Sequence, residues 1–239
     1  MTTASLPVEA SLHPHRPADQ GRLIASFPAP EGIAFEEAHF QQFRTGSDMA
    51  SELHFWTQSR CLVTTPAFAR RREFKRASAH SPWPVAVRRS GGATIFHEPG
   101  VLCVTLFEQL VSANIERAYS GICSLIVNGL RELGVQAEVG PLPSAPCDGR
   151  FNILLDGRKL AGTAARISPA GNRVVVMAHA ALLVEGDCRA GVEAVAAFEN
   201  ALGLDAAYPS GCMTTLAEHV DRIDVVSVAA AIRKIYRQL

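Results

Sequence analysis

The segment from Cys147 to Ala164 constrains this chain more than any other. Two β segments, Phe151 to Leu155 and Lys159 to Ile167, flank Asp156-Gly157, a dipeptide suited to a two-residue hairpin turn. A thiol and a lysine therefore stand twelve residues apart around one apolar strand. The lysine is uncommon in itself: of 23 basic residues only Lys75, Lys159 and Lys234 are lysines. An ammonium is a compact charge whose pKa moves on burial, and it can neutralise a carboxylate, phosphate or oxyanion without the planar fork of arginine. The pairing points to acyl transfer, with a solvated surface lysine as the plain alternative.

At 239 residues, 48% apolar and 19% charged, the chain can bury a full core, and we expect one domain over 31–239 behind a flexible N-terminal arm of residues 1–30. Five of the fourteen prolines fall in that arm with His13 and His15, and no periodicity runs through it. Formal net charge is zero, without the basic excess that drives binding to DNA or RNA. No apolar run is long enough to span a bilayer, and the first 30 residues lack a signal core, so a cytoplasmic protein without membrane partners is expected. Six scattered cysteines with no CxxC pair predict reduced thiols and no metal site.

The core begins with a helical pattern from Gly32 to Arg44. Short strands are read at 53–56, 61–65, 85–87, 93–97 and 101–107, with a basic helix over Arg70 to Arg76. From Leu110 to Leu133 apolar residues recur at three- and four-residue steps, the strongest amphipathic helix in the chain, and Gly134 ends it. Three β segments follow within 151–184, then helical patterns at 190–202, 214–220 and 224–239. Strands grouped centrally with helices around them argue for an α+β fold with a mixed β-sheet flanked by helices.

Arg88-Arg89-Ser90-Gly91-Gly92 lies between two strands, where paired glycines let backbone approach a ligand and Arg88 could meet an acyl thioester or nucleotide. The alternative is a plain hairpin turn. His97, on the next strand, is a candidate acid/base group or thiol activator, or else a satisfied strand-end histidine. Cys147 enters a strand from a loop, where a nucleophile is accessible, and its activation calls for Lys159, His97 or another cation nearby. Cys212, in a loop before a helix, is its rival. Cys61, Cys103 and Cys123 fall in apolar patterns and read as buried, and Cys188 reads as exposed. The Arg70 to Arg76 run is a solvated face or a landing site for an acidic carrier protein.

Val87 to Leu102 together with Asp156 to Ala164 resemble the two signature blocks of the lipoate/biotin protein ligase superfamily. Leu53-His54-Phe55-Trp56 and Met213-Thr214-Thr215-Leu216 resemble its earlier and later landmarks. The resemblance covers residues 33 to 220. It implies the biotin/lipoate protein ligase catalytic-domain fold, class II synthetase-like, and attachment of an octanoyl or lipoyl group to a carrier-domain lysine. ATP-dependent lipoate ligases carry a three-glycine block, and Ala93 stands here in place of the third. Cysteine-dependent octanoyltransferases and amidotransferases set a Cys-x-Gly ahead of an Asp-Gly-basic-Lys turn, an arrangement that Cys147 and Lys159 resemble. Arg150 and Asn152 are closer to the ligase pattern.

The resemblance thus implies Cys147 and Lys159 as catalytic residues, with Arg88, Ser90, Gly91, Gly92, His97, Gly157, Gly162 and Thr163 binding substrate. The implied partners are an acyl carrier protein or the glycine cleavage H protein as donor and the lipoyl domains of 2-oxoacid dehydrogenases as acceptors. No cofactor is required for a transferase; ATP and Mg are required if the chain is a ligase working through lipoyl-AMP. A non-catalytic acyl-binding module is the third possibility.

Overall fold

A computed structural model describes residues 23–46 and 50–239. Residues 1–22 of the arm expected over 1–30, with His13 and His15, lie outside the described residues. Within the described part of that segment, Ala25–Phe27 forms strand β1, paired in parallel with β2 (Ser51–Gln58).

Seven strands make the main sheet in the order β1-β2-β6-β10-β9-β8-β7. Here β6 is Val101–Leu110, β7 Glu138–Gly140, β8 Asn152–Leu155, β9 Arg158–Ala170 and β10 Arg173–Leu183. Apart from the β1–β2 edge it is antiparallel. A smaller sheet has the order β4-β3-β5, with β3 (Cys61–Thr64) parallel to β4 (Val85–Val87) and antiparallel to β5 (Ile95–His97). The chain therefore has a mixed sheet flanked by helices, an α+β fold. Because β3 lies between β4 and β5, the Arg88–Gly92 segment is not a hairpin turn. It crosses the end of β3, which frees its backbone to face a site instead of a partner strand.

Side chains alternate across the main sheet as strand geometry requires. On β10, Val176, Ala178, Ala180 and Leu182 face a core shared with α4 (Ile115–Glu132) and α6 (Val225–Tyr236), while Val175 and Met177 meet Phe40 and Phe43 of α1 (Glu31–Gly46). β6 alternates likewise, with Leu102, Val104 and Leu106 in the α4/α6 core and Phe107 facing α1. Helix α5 (Cys188–Ala201) covers the small sheet through Val195 and Phe198, which meet Leu62 and Phe96.

Two expected boundaries move for local reasons. The amphipathic helix starts at Ile115, not Leu110, because the Asn114 side chain accepts the Arg117 N–H at 2.9 Å and caps it there. Arg70 to Glu73 is a turn between α2 (Pro66–Ala69) and α3 (Phe74–His80). The helix forms only where Phe74 and Ala77 supply an apolar side to pack against.

Helices α4 and α6 touch where α4 carries glycine: a Cβ on Gly129 would lie 2.6 Å from Ile232 Cγ1 and 2.9 Å from Ile232 Cα. Gly129→Val should therefore cost about 1–3 kcal/mol of overpacking, visible as a fall of several degrees in Tm. An unchanged Tm would show that the two helices separate freely.

Candidate active site

The inner face of the small sheet and the α1 side of the main sheet enclose a narrow slot lined by Trp56, Val63, Arg88, His97, Cys147 and His179, among others, with Gly162 and Thr163 on its β9 wall. Its free volume is about 30 Å³, well below the roughly 150 Å³ that accommodates a benzene ring. A surface cleft of about 280 Å³ adjoins it, sharing Ile33 and Arg88 as wall.

Cys147 is held with φ 51°, in the left-handed region. Such a backbone is unusual outside glycine, Asn and Asp, and needs support from around it. Three elements supply it. Lys159, fully buried on β9, donates from Nζ to the Pro146 carbonyl at 2.7 Å and to the Cys147 carbonyl at 2.8 Å. Asp148 Oδ1 accepts the Leu142 N–H at 2.7 Å and the Asn152 amide at 3.0 Å, closing the loop. Asn152 also donates to the Gly149 carbonyl at 2.8 Å, so this residue of ligase character serves here to fold the loop that carries the thiol.

The sulfur itself accepts the Ala93 N–H at 3.1 Å and faces the Arg88 guanidinium at 3.7 Å. Arg88 is buried and donates to the carbonyls of Val63, Gly91 and Ala93 at 2.8–2.9 Å. These bonds give the crossing segment its shape. Gly92 has φ 101°, and a Cβ there would stand 2.7 Å from Cys147 Sγ and 2.8 Å from Arg88, so only glycine lets the segment close on the sulfur. Burial lowers the pKa of both Arg88 and Lys159, while the neighbouring Cys147 raises both. Arg88 in the slot wall and Lys159 buried behind the Cys147 loop both take carbonyl oxygens as their oxygen partners, which leaves positive charge beside the sulfur and favours negative charge there.

The other expected residues separate into two groups. Ser90 is buried and bonds His179 Nε2 at 2.9 Å, while His179 Nδ1 faces Glu36 at 2.9 Å. Glu36 also accepts from Thr105 Oγ1 at 2.6 Å. His179 lowers the pKa of the Glu36 carboxyl against its burial. Glu36 and His179 were missed in the sequence because a helix acid and a strand histidine 143 residues apart carry no local motif. Thr163 lines the slot and donates to the Phe151 carbonyl at 2.7 Å. Gly162 leaves room beside Lys159, since a Cβ there would sit 3.3 Å from Nζ.

Gly157, by contrast, stands outside the slot. It shapes the β8–β9 turn with φ 71°, following Asp156 at φ 49°. Gly91 is exposed and contributes only its carbonyl, to Arg88. His97 lines the slot with its Nδ1 against Gln58 Nε2 at 3.1 Å and Cys103 Sγ at 3.4 Å, and burial drives its pKa down to about 3, the features of a satisfied histidine. Cys212 is buried away from the slot, its carbonyl accepting the Lys159 N–H at 2.9 Å. Cys61, Cys103 and Cys123 are buried as expected; Cys188, expected to be exposed, is half-buried. Among the described residues no group of three or more His, Cys, Asp or Glu side chains is placed to hold a metal, and no helix is long and apolar enough to cross a membrane.

The depressed His97 pKa has a thermodynamic sign. Between the unfolded value near 6.5 and the folded value of about 3 the unfolded chain binds the proton and the native chain does not, so stability is lost as pH falls through that window. A drop from pH 6.5 to 5 should cost about 2 kcal/mol, read from urea midpoints, and His97→Asn should flatten the slope. An equal slope in the variant would place the acid sensitivity elsewhere.

The sequence profile of the lipoyl protein ligase A/B catalytic domain matches residues 28–237. An uncharacterized protein of Cupriavidus necator is 33% identical over 195 residues, spanning 74% of this chain and 72% of its own length. An octanoyl-[GcvH]:protein N-octanoyltransferase of Kyrpidia tusciae is 30% identical over 172 residues, 66% of this chain and 57% of the relative. The chain thus spans little more than half the length of that transferase. Among solved structures, lipoate-protein ligase A bound with ATP superposes with a TM-score of 0.70 at 20% identity, covering 90% of this chain and 83% of the other. A bi-partite lipoate protein ligase of Thermoplasma acidophilum, studied with its E2 lipoyl domain, gives 0.66 at 18% identity over 90% and 82%. At these identities the two structures speak for the fold, and the profile match over most of the sequence speaks for descent: the chain belongs to the lipoyl protein ligase A/B catalytic domain family.

Proposed function

We propose that this chain transfers an octanoyl or lipoyl group to the acceptor lysine of lipoyl carrier domains through an acyl-enzyme on Cys147, with Lys159 as the second catalytic residue. The observation that carries the reading is the position of the Cys147 sulfur, in a slot between the Ala93 N–H and the buried Arg88 guanidinium, on a loop whose carbonyls are held by the buried Lys159 ammonium. The donor is an octanoyl thioester on an acyl carrier protein or an octanoyl amide on the glycine cleavage H protein. The octanoyl-[GcvH] transferase relative favours the latter. The acceptors are lipoyl domains of 2-oxoacid dehydrogenases, and the reaction takes place in the cytoplasm.

The Cys147 thiolate adds to the donor carbonyl, and the tetrahedral intermediate collapses with loss of the carrier thiolate, or of the H-protein lysine amine after it takes a proton. The acceptor amine then adds to the new thioester, expels the Cys147 thiolate and gives up its proton. In both steps the negative charge forms on the acyl oxygen. An ammonium has three N–H donors; two of those on Lys159 hold backbone carbonyls, and the third serves that oxygen through the space Gly162 leaves open. Arg88 adds a fixed positive charge, and Ser90, Gly92, His97 and Thr163 shape the binding wall. The eight-carbon chain enters by displacing side chains at Ile33, where the slot adjoins the wider cleft.

Incubation with an octanoyl carrier thioester in the absence of ATP and Mg should add an octanoyl mass to the protein, removable by hydroxylamine and missing in Cys147→Ala. Full transfer by Cys147→Ala would sink the covalent scheme. If acceptor modification arises only once lipoate, ATP and Mg are supplied, the chain is a ligase. Lys159→Ala should lower kcat by 100-fold or more, the scale of an oxyanion donor worth about 3 kcal/mol; normal turnover would remove it from the chemistry.

A further inference from the structure

Glu199 lies on α5, outside the slot, and is only 3% exposed. A carboxyl group so buried must find donors. Its two oxygens go to different segments: Oε1 accepts the Thr94 N–H at 3.1 Å, and Oε2 accepts the Tyr208 hydroxyl at 2.6 Å. Helix α5 does not depend on this residue for its seat, because Val192, Val195, Phe198 and Leu202 already bury its apolar side.

The Thr94 N–H belongs to the peptide that follows Ala93. Arg88 holds the carbonyl of that same peptide at 2.8 Å, so the Ala93–Thr94 peptide is fixed at both of its polar ends. One residue earlier, the Ala93 N–H is the donor that reaches Cys147 Sγ at 3.1 Å. Arg88 also holds the Gly91 carbonyl at 2.9 Å, so the Gly92–Ala93 peptide that carries this N–H lies between two held planes. The other arm of Glu199 ends on Tyr208, four residues before Cys212, whose carbonyl pairs with the backbone of Lys159. One carboxyl thus joins the segment that presents a donor to the sulfur and the segment that lies against the lysine strand.

We infer that Glu199, with Tyr208, is a positioning residue that aims the Ala93 N–H at the Cys147 sulfur. The inference rests on Cys147 as the reacting thiol, yet it can be tested without turnover. A donor at a thiolate raises the thiolate population by more than it lowers its nucleophilicity, so loss of aim should slow alkylation of Cys147.

The experiment compares wild type, Glu199→Gln, Glu199→Leu and Tyr208→Phe. Alkylation of the Cys147 peptide by iodoacetamide at pH 7 is followed by mass spectrometry, alongside Tm and steady-state transfer. Glu199→Leu should alkylate about threefold more slowly and lose tenfold or more in kcat, with KM for the carrier and Tm held. Glu199→Gln, which keeps one acceptor, should fall between. Unchanged alkylation in a folded Glu199→Leu would overturn the inference, as would losses that merely follow a falling Tm. Should Glu199→Leu not fold, Tyr208→Phe, which deletes a single hydrogen bond, decides by the same reading: slower alkylation supports the inference and an unchanged rate overturns it. Full transfer by Cys147→Ala would end the acyl-enzyme scheme, and the alkylation rates would still decide whether Glu199 sets the amide.

Discussion

The ammonium of Lys159, buried on β9, ties the loop that carries Cys147 to the main sheet through the carbonyls of Pro146 and Cys147. Without that anchor the left-handed backbone at Cys147 would keep only the bonds that Asp148 and Asn152 make on its other side, and the sulfur would lose its place against Ala93. Arginine could not substitute: its planar fork needs more room than the space beside Gly162 provides, and it would not bind two successive carbonyls of a tight loop in the same way. The single lysine in this part of an arginine-rich chain is therefore explained by geometry, independently of any role in the chemistry.

The electrostatics of the slot follow from the same choice. Among the described residues, Arg88 and Lys159 hydrogen-bond carbonyl oxygens and no carboxylate, and the buried acid Glu36 is engaged by His179 and Thr105. Burying two cations this way costs stability, since neutral dipoles recover only part of the lost hydration. Had a carboxylate been placed against either one, the fold would gain an ion pair and the slot would lose its preference for a developing negative charge.

Much of this was legible in the sequence because it is local. The Asp156-Gly157 turn and the β8–β9 pairing follow from two residues that both tolerate positive φ, and the amphipathic helix follows from apolar spacing and its stop at Gly134, though its start at the Asn114 cap was read four residues early. The Cys147 and Lys159 pairing was visible because a hairpin brings its two ends together. What stayed hidden was assembled across the fold. Glu36, His179 and Glu199 look like ordinary helix and strand residues, and the contacts Glu36–Thr105, Glu36–His179 and Glu199–Thr94 join residues 69 to 143 apart in the chain. His97 was left between two readings for the same reason: only the fold shows that Gln58 and Cys103 claim its Nδ1. β1 and β7, three residues each, carry too little pattern to be read at all.

Ala93 joins the sequence argument to the chemistry. The ATP-dependent ligases that this chain resembles have a third glycine in the corresponding block, which suits a backbone that must come close to a bulky anion. Here the residue is not in a glycine-only conformation, its carbonyl is bound by Arg88, and its N–H is directed at a sulfur 3.1 Å away. A methyl group is no obstacle to a donor whose target arrives on a side chain from the opposite loop. The Arg88–Ala93 segment is thus closed onto a thiol by Gly92 and held by two buried carboxyl groups, Glu36 through His179 and Ser90, and Glu199 at the Thr94 N–H. This favours the transferase reading on grounds separate from the spacing of Cys147 and Lys159.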